Sequence, residues 1–406
     1  MSDISPVNSN EHGAMIKTEK NSPLKPFIIP VLISMLFVVW KYVLSANGIL
    51  KSPPWMEQWG EAMLILGLGL WFLFLLTPYI TRFSKVNKWV KGGLPLLILA
   101  VFLVIPLIQI KTGTLNYWLY MLTICFMYII WSSSWNIIGG YAGYISLGHT
   151  VFIAIGAYFA GMIFVFWRIS PFITAPVAGI VAMVSGLLFG LIALRTRGST
   201  FIISTIALVL LVAEILDNWK LTGGVNGLAM PMISLEGEIA KIPFYYYMLV
   251  IMVLCVLMTY FIQHSKFGLG LRAISQDEIK AEVAGIPTRQ YKILAFGLSG
   301  MFIGMSGAIY GYSLTYLRPS IFLTVAIGTG IVLNTILGGK GTVSGPVIGA
   351  AIMLAVNEFV VSKLGATELN IVVTGLILML VLLFFPEGIV GSLRNKGTLP
   401  TFLDWD

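Results

Sequence analysis

The chain has 406 residues, 58% of them hydrophobic and only 10% charged, with a net charge of +8 and a mean hydropathy of +0.92. A composition this apolar excludes a soluble domain and points to a polytopic membrane protein. The basic excess does not indicate a nucleic-acid partner, because the Lys and Arg fall in short connections between apolar runs, where membrane topology accounts for them.

Residues 1–25 are polar and mixed in charge, lack the apolar core of a signal peptide, and are expected to form a disordered cytoplasmic tail. Apolar runs follow at 27–46, 61–80, 93–110, 117–138, 148–167, 172–194, 199–217, 243–263, 291–313, 321–337, 346–362 and 369–385. Each approaches the roughly 20 residues that a helix needs to cross the hydrocarbon core. The expected fold is therefore an all-α polytopic membrane protein of about 10–12 transmembrane helices, with glycine-rich broken or re-entrant segments. If every run crosses and the N-terminus is cytoplasmic, the inner side collects Lys17, Lys20, Lys25, Arg82, Lys85, Lys88, Lys91, Arg195, Arg197, the five basic residues of 266–292, Lys340, Arg394 and Lys396. These are most of the 25 Lys and Arg, a positive-inside bias. The C-terminal tail, 391–406, then also lies inside. Should Gly338–Pro346 mark a re-entrant hairpin, the two short runs beside it drop out together and this end stays inside.

The first glycine-rich interruption runs from Gly139 to His149 (GGYAGYISLGH). Irregular backbone at membrane depth is tolerated where protein or a water-filled cavity covers it, and broken helices of this kind line transport pathways. Asn136, Gly143, Ser146, Gly148 and His149 are therefore candidate pathway residues, with tight turns between packed helices as the plain alternative. His149 at a helix start can donate to a substrate carboxylate or bond a nearby backbone carbonyl. Gly186 and Gly190 offer a smooth helix face. Glu214 and Asp217, three apart near the outer end of their run, share a face; they are solvated interfacial carboxylates or, with Gly223 and Gly224 of the external loop 218–242, a docking point for an external partner.

The stretch Lys266–Lys292, KFGLGLRAISQDEIKAEVAGIPTRQYK, is the one long polar interruption of the second half. Ser275 and Glu278 have capping-box spacing, and Asp277 and Glu278 suit the positive end of a helix dipole. The spacing predicts a helix of two to three turns running to Ala284 and closed by Gly285 and Pro287, with Ile279 and Val283 on one face. So short a helix is unstable alone. Its apolar residues must pack on the chain's own helices or enter a groove on a partner.

Beyond it, Gly300, Gly304, Gly307 and Gly311 recur every three or four residues and form a stripe for close helix packing. A second glycine-rich stretch, Gly338–Pro346 (GGKGTVSGP), adds Asn334, Gly339 and Ser344 to the pathway candidates. GGKGT is not a phosphate-binding loop, since Gly341 follows Lys340 where that motif requires Ser or Thr. No nucleotide site, cofactor motif or metal spacing is evident, and Cys125 and Cys255 lie inside apolar runs. Glu358 stays unassigned.

Taken together, WNIIGGYAGYISLGHTVFIAIGAYFAG at 135–161, LTGGVNGL at 221–228, the 267–311 stretch, Pro319 with Phe322, and GGKGTVSGPVIGA at 338–350 resemble the permease subunits of branched-chain amino acid ABC importers, the LivM-type branch. The resemblance covers roughly 117–390, within a permease core of 112–390. It leaves 26–111 as N-terminal extra transmembrane helices. It implies that the 275–286 helix is the ATPase-coupling site, in the manner of an EAA-type loop, with Glu278, Ala281, Gly285 and Ile286 at matching positions. Also implied are two ABC ATPase subunits, a second related permease and an external substrate-binding protein, with ATP hydrolysis residing in the partners. Urea or short amides are an alternative cargo. The competing class is an ATP-independent channel or ion-coupled carrier, which calls for mid-membrane carboxylates, whereas those here cluster towards ends and loops. An enzyme is disfavoured by the lack of a nucleophile–base pair.

Overall fold

A computed structural model describes residues 99–106, 116–196, 198–231, 241–364 and 387–395, with isolated positions between 375 and 405. The expected tail 1–25, the runs at 27–46 and 61–80 and most of 369–385 lie outside the described residues, and of the run at 93–110 only 99–106 is described, as helix.

The elements are α1 (Asn116–Asn136), continued by a π-helical turn (Ile137–Tyr141), α2 (Thr150–Trp167), α3 (Pro171–Ala193), α4 (Ser199–Asn218), α5 (Lys241–Gln263), α6 (Lys266–Gln276), α7 (Glu278–Val283), α8 (Thr288–Leu314), α9 (Pro319–Phe322), α10 (Val325–Gly338), α11 (Ser344–Leu364) and α12 (Gly388–Asn395). Among the described residues, 7 helical stretches are long and apolar enough to cross a membrane, with Pro319–Gly338 counted as one, and Ser344–Glu358 is a shorter apolar helix. The protein is an all-α polytopic membrane protein.

In lipid no hydrophobic force drives one helix onto another, so close contact between small residues must do it. The glycine stripe does this. α8 lies in the angle between α2 and α3. A methyl group added at Gly156 of α2 would fall 1.9 Å from the Gly304 carbonyl of α8, and one at Gly304 would fall 2.3 Å from Cβ of Ala182 on α3. Gly307 meets the backbone of Ile153, Gly311 meets Ala157, and Gly186 meets Gly297. α1 packs on α5, and α10 packs on α11 and α1. Outward faces of α3 and α4 expose Ile173, Ile180, Ile192, Ile203 and Leu210, as a lipid-facing surface requires.

The first glycine-rich stretch departs from expectation. Gly139 and Gly140 do not break the helix but continue it as the π turn, because Gly139 lies against the Trp135 ring and Gly140 against the Asn136 side chain and the Gly341 amide. The irregular backbone begins only at residue 142. At the opposite end of the bundle, the connection after α4 is tied to the end of α8 by a two-residue antiparallel pairing, β1 (Leu228–Ala229) with β2 (Tyr316–Leu317), in the register Leu228 to Leu317. The Met230 amide extends it by donating to the Thr315 carbonyl at 2.8 Å.

Candidate functional site

The polar stretch 266–292 is two short helices and the start of a long one. α6 begins where the Ser265 hydroxyl accepts from the Gly268 amide at 3.1 Å. It carries on through Ser275, so the expected capping box does not form. Asp277 takes the N-cap instead: its backbone is extended, at φ −160°, and its carboxylate accepts from the amides of Ile279 at 3.0 Å and Lys280 at 3.1 Å. Ser275 is exposed in the last turn of α6 and approaches Gly143, whose φ is +77°. The reason is that Leu271 and Ile274, both buried, prolong α6 past the point where a cap at Ser275 would have ended it. The amides of Ile279 and Lys280 hold the Asp277 carboxyl below the usual carboxylate range, Lys280 contributing most.

α7 is six residues long, shorter than the expected two to three turns. It closes as predicted: Gly285 adopts φ +88°, and the Ile286 amide donates to the Ala281 carbonyl at 3.0 Å. Its two faces differ. Ala281 is buried on the bundle, whereas Ile279 and Val283 are 64% and 85% exposed. Neither of these apolar side chains packs on the described helices.

Glu278 turns inwards. Its carboxylate lies 2.6 Å from the Lys292 ammonium on α8, and the Tyr144 hydroxyl donates to its second oxygen. The same ammonium donates to the Tyr144 hydroxyl at 3.1 Å and stands 4.8 Å above the centre of that ring. The side chains of Lys292 and Glu278 are 4% and 12% exposed. Truncating one partner of so buried a pair strands the other charge, at a cost of roughly 3–5 kcal/mol. Beside the pair, a cleft of about 420 Å³ opens between α7, the start of α8 and the end of α3, lined by Glu278, Glu282, Arg289, Leu194 and Arg195 among others.

The two glycine-rich stretches meet. The Asn136 amide donates to the Thr342 carbonyl at 2.8 Å and accepts from the Gly341 amide at 2.8 Å, so both its ends are held by the 339–343 loop. Trp135 donates to the Ser146 carbonyl at 2.7 Å. His149 is wholly buried; its Nε2 is 2.9 Å from the Ser299 hydroxyl and its Nδ1 is 3.1 Å from that of Ser146. Because Ser299 donates to the Phe296 carbonyl, its oxygen accepts from Nε2–H, and Nδ1 accepts from Ser146. The backbone carbonyl considered for His149 from sequence is therefore not what its ring bonds. Gly148 abuts the Thr205 carbonyl, Gly339 takes φ +129° against α12, and Asn334 and Ser344 are buried on α10 and α11. Residues 136–140 and 341–342 thus meet at one junction, whereas Ser146 and His149 are held by Trp135 and by Ser299 of α8. At the other end, Glu214 is exposed and accepts from Asn218 at 2.7 Å, Asp217 is half-buried, and Gly223 and Gly224 form left-handed turns beside it.

Lys292 and Tyr144 were not foreseen as partners of Glu278. Lys292 carried a signal, an ionisable residue at the start of an apolar run; Tyr144 carried none.

Residues 117–382 match the family described as branched-chain amino acid transport system, permease component. The chain belongs to that family. Relatives of this permease include the high-affinity branched-chain amino acid transport system permease protein LivM of Escherichia coli K12, 27% identical over 334 residues, which cover 76% of this chain and 77% of that one. The corresponding LivH of Salmonella typhimurium is 32% identical over 134 residues, 33% of this chain and 42% of that one. The autoinducer 2 import system permease protein LsrC of Salmonella paratyphi B is 27% identical over 143 residues, covering 33% and 40%. No solved structure matches the permease.

Proposed function

We propose that this permease is one membrane subunit of an ATP-driven importer for branched-chain or related small amino acids, working beside a second, LivH-like permease, two ABC ATPase subunits that carry out the hydrolysis, and an external substrate-binding protein. The observation that carries this is the exposed pair Ile279 and Val283 on α7. Two apolar side chains held out by a helix capped at both ends, with its other face on the bundle, are suited to a hydrophobic groove on another protein. The α6–α7 end is then cytoplasmic, in line with the basic residues gathered there, and both termini lie on that side. The external docking candidates Glu214, Asp217, Gly223 and Gly224 face the binding protein, and the pathway candidates Asn136, Gly143, Ser146, Gly148, His149, Asn334, Gly339 and Ser344 border the route of the solute.

The mechanism is alternating access. Closure of the ATPase dimer on ATP displaces α7, which moves the α8 bundle as a rigid body. The test is reconstitution of the full complex and assay of leucine uptake, together with ATPase co-purification for Ile279→Asp and Val283→Asp. Loss of the ATPase from both variants, with normal insertion, supports the assignment; uphill leucine uptake by this chain alone, or labelling of Lys280→Cys from outside intact cells, overturns it.

A further inference from the structure

We infer that the Glu278–Lys292–Tyr144 cluster is the transmission joint of this permease, the point at which displacement of α7 is delivered to the irregular segment 142–149. The inference rests on the importer reading above and deepens it. α7 touches the bundle over a small area. Ala281 is its one buried residue, and the cleft of about 420 Å³ separates its Glu282 side from Leu194 and Arg195 at the end of α3. Packing against α3 therefore cannot carry a push from α7.

Besides its link back to α6, what ties α7 to the bundle is its first residue. Glu278 is clamped to α8 through Lys292, and to the 142–149 segment through Tyr144, by three mutual polar contacts between largely buried side chains. A contact of this kind is directional: its groups either keep their geometry or separate completely, because a buried charge without its partner is costly. A sliding apolar contact has no such threshold.

The segment on the far side of the joint is suited to receive the movement. It has no helix of its own, yet it is anchored at several further points. Tyr141 just before it donates to Gln263 of α5 at 2.9 Å, the Leu147 amide donates to the Thr205 hydroxyl of α4 at 3.2 Å, and His149 at its end bonds Ser299 of α8. Gly143, at φ +77°, lets it pass close to Ser275 of α6; a methyl group there would fall 2.7 Å from the Ser275 oxygen. A shift of Tyr144 is thus shared among the start of α2, the second turn of α4 and the middle of α8. Lys292 and Tyr144 act as positioning residues, through Glu278.

The experiment uses the complete transporter in proteoliposomes, with leucine uptake and ATP hydrolysis measured on the same vesicles. Lys292→Met, Tyr144→Phe and the exchange Glu278→Lys with Lys292→Glu are compared. Expected is a fall of roughly tenfold in leucine moved per ATP for Lys292→Met, a size typical of substitutions along a coupling path. Tyr144→Phe, which keeps the ion pair and removes one hydroxyl, should lower the same ratio by about threefold. The exchange should recover a substantial part of what Lys292→Met loses. A merely structural role would reduce the amount of inserted complex and leave the ratio alone. Should Lys292→Met fail to insert, Tyr144→Phe decides. Wild-type ratios in whichever of these variants assemble, or an exchange variant that inserts and is no better than Lys292→Met, overturn the inference. Failure of the wild-type chain to bind an ATPase would instead overturn the importer reading itself, so the two failures are distinct.

Discussion

Two regions of this permease are held together by opposite means. In the α2–α3–α8 stack, contact is backbone to backbone: Gly156 on Gly304, Gly307 on Ile153, Gly186 on Gly297. At the junction of α7, α8 and the 142–149 segment, contact is made by long polar side chains, Lys292 to Glu278 and Tyr144 to Glu278. The first kind has no slack, since the interdigitated surfaces fit in one way and any added atom is felt. The second kind keeps its geometry or comes apart as a unit, and neither outcome repacks a core. The difference teaches how a greasy bundle is moved without loosening. The glycine-packed stack serves as the rigid body, and the polar junction is where it is gripped.

The largest effect expected is at the junction. Lys292→Met should destabilise the protein by roughly 3–5 kcal/mol by stranding Glu278, and the double change with Glu278→Gln should return most of that, because removing both charges leaves nothing to strand. Thermal unfolding of the purified protein in detergent checks both; equal losses in the single and double variants would break the contrast. In the stack, Gly156→Leu should cost about 1–3 kcal/mol through overpacking, with no rescue from any change of charge. The same melt reads it, and unchanged stability would show that the stack has room to give.

Gly285→Val sharpens the comparison at α7 itself. Nothing lies within 4 Å of a methyl group placed there, so the penalty arises from the left-handed backbone alone, about 1–2 kcal/mol. The variant should insert normally yet move less leucine per ATP. Normal coupling would mean that α7 need not be stiff. Smallest is the cap. The Asp277 carboxyl titrates below its ordinary value because the Lys280 amide and ammonium and the Ile279 amide bond its charged form. A depressed value means that the cap is present above the unfolded pKa of about 3.9 and is lost as pH falls through the lower folded one. Asp277→Ala should therefore speed hydrogen exchange at residues 279 and 280 at neutral pH, and the wild-type protein should match the variant only in more acid solution. Equal exchange rates at pH 7 would remove the cap from the account.

Much of this was legible beforehand, for local reasons. The apolar runs among the described residues are helices because backbone groups in lipid have no other partner. The glycine stripe on α8 and the left-handed stop at Gly285 were legible because each depends on a few neighbouring residues. The cap was misplaced by two positions because Ser275 and Asp277 are both good acceptors. Local spacing cannot weigh a cap against the burial of Leu271 and Ile274, which extends α6. Likewise, Gly140 read as a break because nothing nearby in the chain announces that the Gly341 amide, from a distant part of the sequence, will occupy the space beside it.

Residue order alone, then, was enough to establish the class of protein, the position of most described helices and the polar element that the rest turns upon, since hydropathy and capping act over a single turn or a single span. It did not disclose that Glu278 faces inwards to a lysine 14 residues on and a tyrosine 134 residues back, nor that Asn136 clasps a loop 205 residues away. Those pairings depend on which helix faces meet across the bundle, and that is settled by packing of the whole chain.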